Sequence, residues 1–441
     1  MAWNIPKLEE LSHSVWRCTA CGTCKAAYDY GPPPHNADIC PAGTQFGFEG
    51  FMSSKGKIAF ARGVLRGELE WDAELADAVY KCTICGGCQN QCQLDHKPYI
   101  IEIIEALRRE AVEAGAGPMP TQKVIVQSLQ NYNNPYQGPR RVRTDWTRKF
   151  RRSEKPVKTI KEEAAPVLYF VGCTGAYNRQ AHSIPQSTAS IFNKLGVDFA
   201  ILGEEEICCG STPMRLGEVA EFTRIAEQNL ETFRRLRDER GVETIVTSCA
   251  GCFRAIKKDY ALFDGYGEMM EGIEVVHTID FLHRKLKEGE LELTEPVEKK
   301  VTYHDPCHTG RHLHEFVIDE DGSEQYPGAY LGLKDDECLY EQPRELLEAI
   351  PGLELVEMGR NRANSFCCGG GGGVMTGFGD WAAQNAARRV AEGASVGAEE
   401  IVSICPFCYF NLTEGSKREG TGLKLRDLTE LIDASLPEPG E

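Results

Sequence analysis

A cysteine doublet that occurs twice constrains the chain more than any other feature. Glu206-Ile207-Cys208-Cys209-Gly210-Ser211 is echoed by Ser365-Phe366-Cys367-Cys368-Gly369-Gly370. A cysteine closing an apolar, strand-like run precedes each doublet, and a Cys-x-x-Cys follows it. These are Cys173, then Cys249 and Cys252, and Cys307, then Cys405 and Cys408. Adjacent cysteines make a poor disulfide because their Cβ vectors diverge, whereas neighbouring thiolates can hold neighbouring metal ions. Five thiols exceed the four that close a tetrahedral zinc site or a cubane cluster. The repeat predicts two equivalent sites, each larger than one four-ligand centre.

Between the cysteines the sequence alternates strand and helix. Strands are expected over Val167–Val171, Val197–Leu202 and Thr244–Thr247, with helices over Ile184–Leu195, over Glu218–Arg237 and from Phe253. The second half repeats the order: a strand to Cys307, a helix Arg344–Ile350, a strand Leu353–Met358, a helix Trp381–Ala391 and a strand Glu400–Ile404. Each cysteine group then falls at a strand's carboxyl end or a helix's amino end, where α/β folds place ligands and helix N-termini favour anions.

The N-terminal third carries two Cys-x2-Cys-x2-Cys triplets, Cys18/Cys21/Cys24 and Cys82/Cys85/Cys88, with further cysteines at Cys40 and Cys92. This is the ligand plan of two [4Fe–4S] cubanes in which the fourth cysteine serves the other cluster. One cubane is assigned Cys18, Cys21, Cys24 and Cys92, the other Cys82, Cys85, Cys88 and Cys40. Zinc knuckles fit poorly, because zinc has no use for eight thiolates in interleaved triplets. The glycines at 22, 86 and 87 keep the loops open to N–H···S contacts. Two departures stand out: Lys25–Ile39 reads as a loop insertion, and Gln93 replaces the usual proline. Helices are expected around Leu8, Leu11 and Val15, over Glu74–Lys81, and over Pro98–Glu113, whose apolar face carries Ile100, Ile103, Ile104 and Leu107.

From Thr121 to Ala165 the periodicity loosens, and a basic run extends from Arg140 to Lys158. It reads as a solvated linker, with contact to an anionic substrate or acidic partner as the sharper alternative. Glu315–Glu341 is an acidic insertion, read as a solvated loop rather than a docking element. It carries Cys338, the odd thiol beside the other eighteen. The expected division is 1–117 for a helical two-cluster domain, 118–165 for the linker, and 166–290 and 291–441 for the repeated α/β domains.

At 441 residues there is room for about three domains. A net charge of −17 disfavours nucleic-acid binding, which needs surplus Lys and Arg. No leader-like segment opens the chain and no apolar run approaches the roughly 18 residues of a membrane span. With Cys-x-x-Cys spacing this points to metal binding in the reducing cytoplasm, with any attachment to the membrane face made through a partner. Gly369–Gly373 lacks the Lys-Ser/Thr of a phosphate loop, and no dinucleotide fingerprint is present. Electrons must therefore come from another protein. His304, His308, His312 and His314 surround Cys307. His304 or His308 is a candidate proton donor to departing thiolates, set against hydrogen bonding to cluster sulfurs or backbone.

Both doublets, both triplets and their order resemble the heterodisulfide reductase catalytic subunits, in the fused form with a ferredoxin-type domain before two cysteine-rich CCG domains. The resemblance runs from about Trp16 to Leu431. It implies a non-cubane [4Fe–4S] cluster in each CCG domain, one on Cys173, Cys208, Cys209, Cys249 and Cys252, the other on Cys307, Cys367, Cys368, Cys405 and Cys408. It also implies a disulfide substrate, such as that of coenzyme M and coenzyme B, split between them with electrons from the cubanes. The architecture is similar too to iron–sulfur subunits of glycolate, lactate and glycerol-3-phosphate dehydrogenases and of electron-bifurcating complexes. Those imply a relay between a flavoprotein and quinone or another redox module, with a separate membrane-anchor subunit as a further partner. All ten CCG cysteines are present here, which favours disulfide chemistry.

Overall fold

A computed structural model of the chain describes residues 2–25, 38–47, 53–318 and 330–437. Most of the expected Lys25–Ile39 loop lies outside them. Burial on both faces calls for short, wholly apolar strands, and Val167–Tyr169 is such a strand. Strands β1 (Lys158–Thr159), β2 (Val167–Tyr169), β3 (Phe199–Ile201), β4 (Thr244–Thr247) and β5 (Glu274–His277) form a parallel sheet in the order β1-β3-β2-β4-β5. Then follow β6 (Lys299–Tyr303), β7 (Glu315–Ile318), β8 (Tyr330–Lys334), β9 (Leu353–Leu355), β10 (Glu400–Ser403) and β11 (Lys424–Asp427). The second parallel sheet is ordered β11-β10-β6-β9. Without β1, both sheets read the same way, β3-β2-β4-β5 and β9-β6-β10-β11, so the duplicated cysteine pattern is a duplicated topology. One apolar core joins them, including Leu168 and Val246 from the first sheet and Val301 and Ile401 from the second.

The N-terminal third is helical. Leu8, Leu11 and Val15 pack with Ile58 of helix Ser54–Leu65 and with Ile103 and Leu107 of helix Ile100–Glu113. The chain is thus an α/β protein in which a helical N-terminal part leads two repeated α/β units that bear the cysteine doublets, as the sequence predicts.

Two stretches depart from expectation. The loosened region contains a regular helix, Pro120–Tyr132, whose buried positions are Gln122, Val126, Ser128 and Leu129. Two of these four are polar, so hydrophobic periodicity does not reveal it. Pro120, which reads as a terminator of the preceding helix, occupies its first turn, where a missing N–H is harmless. The basic run is not uniformly solvated either: Arg140 and Arg141 are exposed, but Arg143 is 2% exposed. The acidic insertion forms an antiparallel hairpin, β7 with β8, its 319–329 tip lying outside the described residues. Cys338 is buried behind it, its thiol donating to the Gly310 carbonyl at 3.3 Å.

The glycine run is explained by close approach. A Cβ on Gly371 would sit 2.8 Å from the Thr83 carbonyl oxygen, and one on Gly372 would sit 2.7 Å from that of Cys82. The run therefore lies against the loop bearing the second triplet. Arg108, fully buried, locks this junction by donating to the carbonyls of Tyr80, Cys82, Arg215 and Gly372.

Candidate metal centres and the cavity between them

All ten CCG cysteines lie beyond the carboxyl ends of parallel strands. Cys173 opens a short helix after β2, the first doublet follows β3, and Cys249 caps the helix Ala250–Arg254 after β4. Cys307 follows β6, the second doublet follows β9, and Cys405 caps the helix Pro406–Glu419 after β10. All are buried except Cys307, which is half-buried.

The two doublets are held alike. The first thiol accepts a hydrogen bond from the N–H two residues on, Gly210 to Cys208 at 3.4 Å and Gly369 to Cys367 at 3.3 Å. That geometry needs the left-handed backbone both glycines adopt, φ +80° and +93°. Asn229 holds the Cys208 carbonyl at 2.9 Å, and Asn385 holds that of Cys367 at 2.8 Å. Tyr260 and Asn411 do the same for Cys209 and Cys368, at 2.9 and 2.6 Å. Sequence reading missed these four anchors, because nothing local links a polar side chain to a carbonyl tens of residues away.

The sulfurs form a connected series. Within the first site Cys173 meets Cys208, and Cys209 meets both Cys208 and Cys252, which meets Cys249. The second site repeats this through Cys307, Cys367, Cys368, Cys408 and Cys405. Cys249 of the first site contacts Cys405 of the second. Both sites open on one cavity of about 400 Å³.

The surroundings differ. At the first site, Arg143 points both terminal nitrogens at Cys173 Sγ, at 3.7 and 3.8 Å, and pairs with buried Glu206. Glu206 also accepts the N–H groups of Val171 and Gly172 at 3.0 and 2.8 Å. At the second site Arg389 donates to His304 Nδ1 at 3.2 Å, which leaves Nε2 to carry the proton toward Cys368. His308 lines the cavity and His304 lies behind it. Burial, with Arg215 nearby, pushes His308 down to about 4, so the ring is neutral near pH 7. His312 contacts the Ile84 carbonyl at 2.7 Å and packs edge-on against the His308 ring, centroids 4.4 Å apart, within 4.8 Å of Cys307, while His314 meets the Tyr340 hydroxyl at 3.1 Å.

In the N-terminal domain, Cys92 has Cys24, Cys18 and Cys21 as neighbours, and Cys40 has Cys82 and Cys85. With Cys88 beside Cys40, Cys85 and Cys82, the eight sulfurs gather into two sets of four. Cys21 is exposed, Cys24 and Cys88 are neighbours, and Cys85 lies against Cys367 of the second CCG site. Arg311 bridges that last junction, donating to the carbonyls of Cys85, Ala363 and Ser365. Burial pushes Cys40 up to about 12 and Cys92 to about 11. Thiols so placed ionise readily only against a bound cation, so the donor set fits iron–sulfur clusters.

Such a chain is an iron–sulfur oxidoreductase component in which a ferredoxin-type domain precedes paired cysteine-rich domains. A 4Fe-4S dicluster domain family matches residues 14–95, and the CCG cysteine-rich domain family matches 167–257 and 301–413. A dihydromethanophenazine:CoB–CoM heterodisulfide reductase subunit of Methanosarcina mazei is 34% identical over 427 residues, 95% of this chain and 93% of that one. The chain belongs to this family of heterodisulfide reductase subunits. A fumarate reductase (CoM/CoB) subunit from Methanothermobacter marburgensis is 27% identical, covering 89% of this chain and 69% of its own length. An EtfAB:quinone oxidoreductase of Syntrophomonas wolfei is 28% identical over 82% of this chain, which spans 47% of that protein. Among the described residues no helix is long and apolar enough to cross a membrane.

Proposed function

We propose that the chain reduces a disulfide, or forms one in reverse, in the cavity between its two five-cysteine sites. The observation that carries this reading is the pair of equivalent thiol sets opening on one cavity and touching at Cys249 and Cys405. A substrate with two equivalent leaving sulfurs suits a site with two equivalent faces. The balance is R–S–S–R′ plus two electrons and two protons to RSH and R′SH. Two cubane clusters, on the quartets that contain Cys18 and Cys82, and two non-cubane [4Fe–4S] clusters, on the CCG cysteines, would supply the single electrons and the iron that captures each sulfur.

The protein's own groups then hold and orient. His308 faces the cavity and is assigned the hydrogen bond to a departing sulfur. His304, locked by Arg389, is assigned to Cys368. With clusters bound, the contacts Cys24 to Cys88, Cys85 to Cys367 and Cys249 to Cys405 would support a route for electrons, delivered by a flavoprotein or other redox protein at the exposed Cys21 end. A partner protein would anchor the chain to the cytoplasmic membrane face.

A second reading, a relay toward quinone with no disulfide substrate, is favoured by the likeness to the EtfAB:quinone oxidoreductase and by the same unbroken series of thiols. Anaerobic EPR with iron quantification separates the two. About sixteen irons per chain, from four four-iron clusters, with a paramagnetic signal that appears only on adding thiol to oxidised protein, is expected. About eight irons and no response to thiol would leave the relay.

A further inference from the structure

The basic run between the N-terminal helices and the first sheet is pinned to the fold at its inward-facing side chains. Arg143 turns to Cys173, and Trp146 and Phe150 enter the apolar core, where Trp146 meets Tyr169 edge-on with ring centroids 6.3 Å apart. Gln186 donates to the Trp146 carbonyl at 2.9 Å, and Asn193 donates to that of Lys155 at the same distance. With these points fixed, the tight turns Arg140–Val142 and Asp145–Phe150 and the residues after them present Arg140, Arg141, Arg148, Lys149, Arg151 and Arg152 to solvent.

The chain leaves most of this charge unanswered. Asp145 is taken by Arg148 at 2.8 Å, and Asp433, on the Lys149 side, by Lys194 at 3.3 Å. Glu205, on the turn beside Arg140–Val142, is shared by Lys161 and Arg235. Among the described residues Arg140, Arg141, Arg151 and Arg152 form no ion pair, although carboxylates outnumber Lys and Arg in the chain by 66 to 49. Composition separates the anionic partners such a surface could meet. A protein interface centres on desolvated aromatic or aliphatic side chains, and no large apolar side chain of this run is exposed. A plane of phosphate headgroups needs no apolar centre. It attracts cations held within about a Debye length of it, and the arginine fork matches its phosphate oxygens. Of the six exposed cations, five are arginine.

We infer that the run Arg140–Arg152 is a docking surface for a lipid bilayer bearing anionic phosphate headgroups, so that the chain touches the membrane with its own side chains as well as through a partner. This goes beyond the disulfide reading and holds equally for a relay. Neither matched domain family includes the run.

The test is cosedimentation of the anaerobic, cluster-loaded full chain with vesicles of phosphatidylcholine alone and of phosphatidylcholine mixed with phosphatidylglycerol. At low ionic strength, binding to the anionic vesicles is expected to exceed binding to the neutral ones at least about tenfold, and to fall steeply as salt is added. Arg151→Glu combined with Arg152→Glu should weaken it at least about tenfold. Both side chains are exposed, so Tm should stay where it is. Lys417→Glu combined with Arg418→Glu makes the same change in net charge at another exposed surface and should leave most of the binding in place. Equal binding to the two kinds of vesicle, nil included, would overturn the inference, as would an equal loss in the two double variants. Binding of poly-glutamate in preference to either vesicle would overturn it in favour of an acidic protein partner. None of these outcomes bears on the disulfide reading, which stands or falls on the response to thiol.

Discussion

Arg143 carries a buried positive charge to a sulfur that the CCG motif places without it. A hydrogen-bonding cation beside a ligand thiolate stabilises the more negative, reduced state and raises the potential of whatever cluster that sulfur holds. Replacing Arg143 with Met should therefore lower one midpoint in an anaerobic redox titration followed by EPR and leave the others in place. Arg143→Lys should recover part of the shift. The same change strands Glu206, and breaking a buried pair costs about 3–5 kcal/mol, so Tm should fall. Adding Glu206→Gln should restore part of the stability but not the potential. His314 offers a pH test. Burial, with Arg311, Lys97 and Lys258 around it, pushes its pKa down to about 3. The folded chain thus binds fewer protons than the unfolded one. The neutral ring's contribution is complete above the unfolded value near 6.5 and is lost as pH falls from there toward 3. Urea unfolding between pH 7 and 5.5 should show stability falling with acid, with a shallower slope in His314→Gln by up to about 1.4 kcal/mol per pH unit.

At the scale of elements, the glycine run and the helix Pro120–Tyr132 do work that their composition does not advertise. Gly371 brings a CCG loop against the loop of the second triplet, which places Cys85 beside Cys367. Gly371→Ala puts a Cβ into the Thr83 carbonyl at 2.8 Å, and such overpacking costs about 1–3 kcal/mol. Gly379, with nothing within 4 Å of an added Cβ, is the control. In differential scanning calorimetry Gly371→Ala should lower Tm, while Gly379→Ala should be neutral or slightly stabilising. The helix contributes from the side. Gln122 donates to the Gly373 carbonyl at 2.9 Å, and beyond the helix the Tyr136 hydroxyl meets Thr174 at 2.9 Å beside Cys173.

Across the whole molecule, Arg108 joins three units: the second-triplet loop, the helix Ser211–Leu216 after the first doublet, and the glycine run after the second. Removing its guanidinium takes the donor from the carbonyls of Cys82, Arg215 and Gly372, while that of Tyr80 keeps the Cys82 N–H at 2.8 Å; each buried carbonyl left unpaired costs about 1–3 kcal/mol. Arg108→Ala should separate melting of the N-terminal domain from that of the paired α/β domains. A scan with one cooperative transition should become one with two. Partial docking would also widen the Cys85 to Cys367 junction, so electron flow to the CCG sites should slow before either domain unfolds.

The cysteine spacing by itself determined the two thiol quartets, the doubled five-thiol unit and the α/β rhythm around it, because ligand chemistry and strand–helix alternation are written in local order. That Cys92 lies beside the first triplet and Cys40 beside the second was expected from the ferredoxin ligand plan, in which the fourth cysteine crosses to the other set, and not from local order. Tertiary structure alone decided which sulfurs of different sites meet, that His308 rather than His304 reaches the cavity, and that Arg143 leaves its basic run to serve Cys173. It also decided that a half-polar helix lines the cavity, through Val124 and Ile125. These depend on contacts between residues tens to hundreds of positions apart, and on desolvation that exists only once the domains close. Local periodicity contains neither.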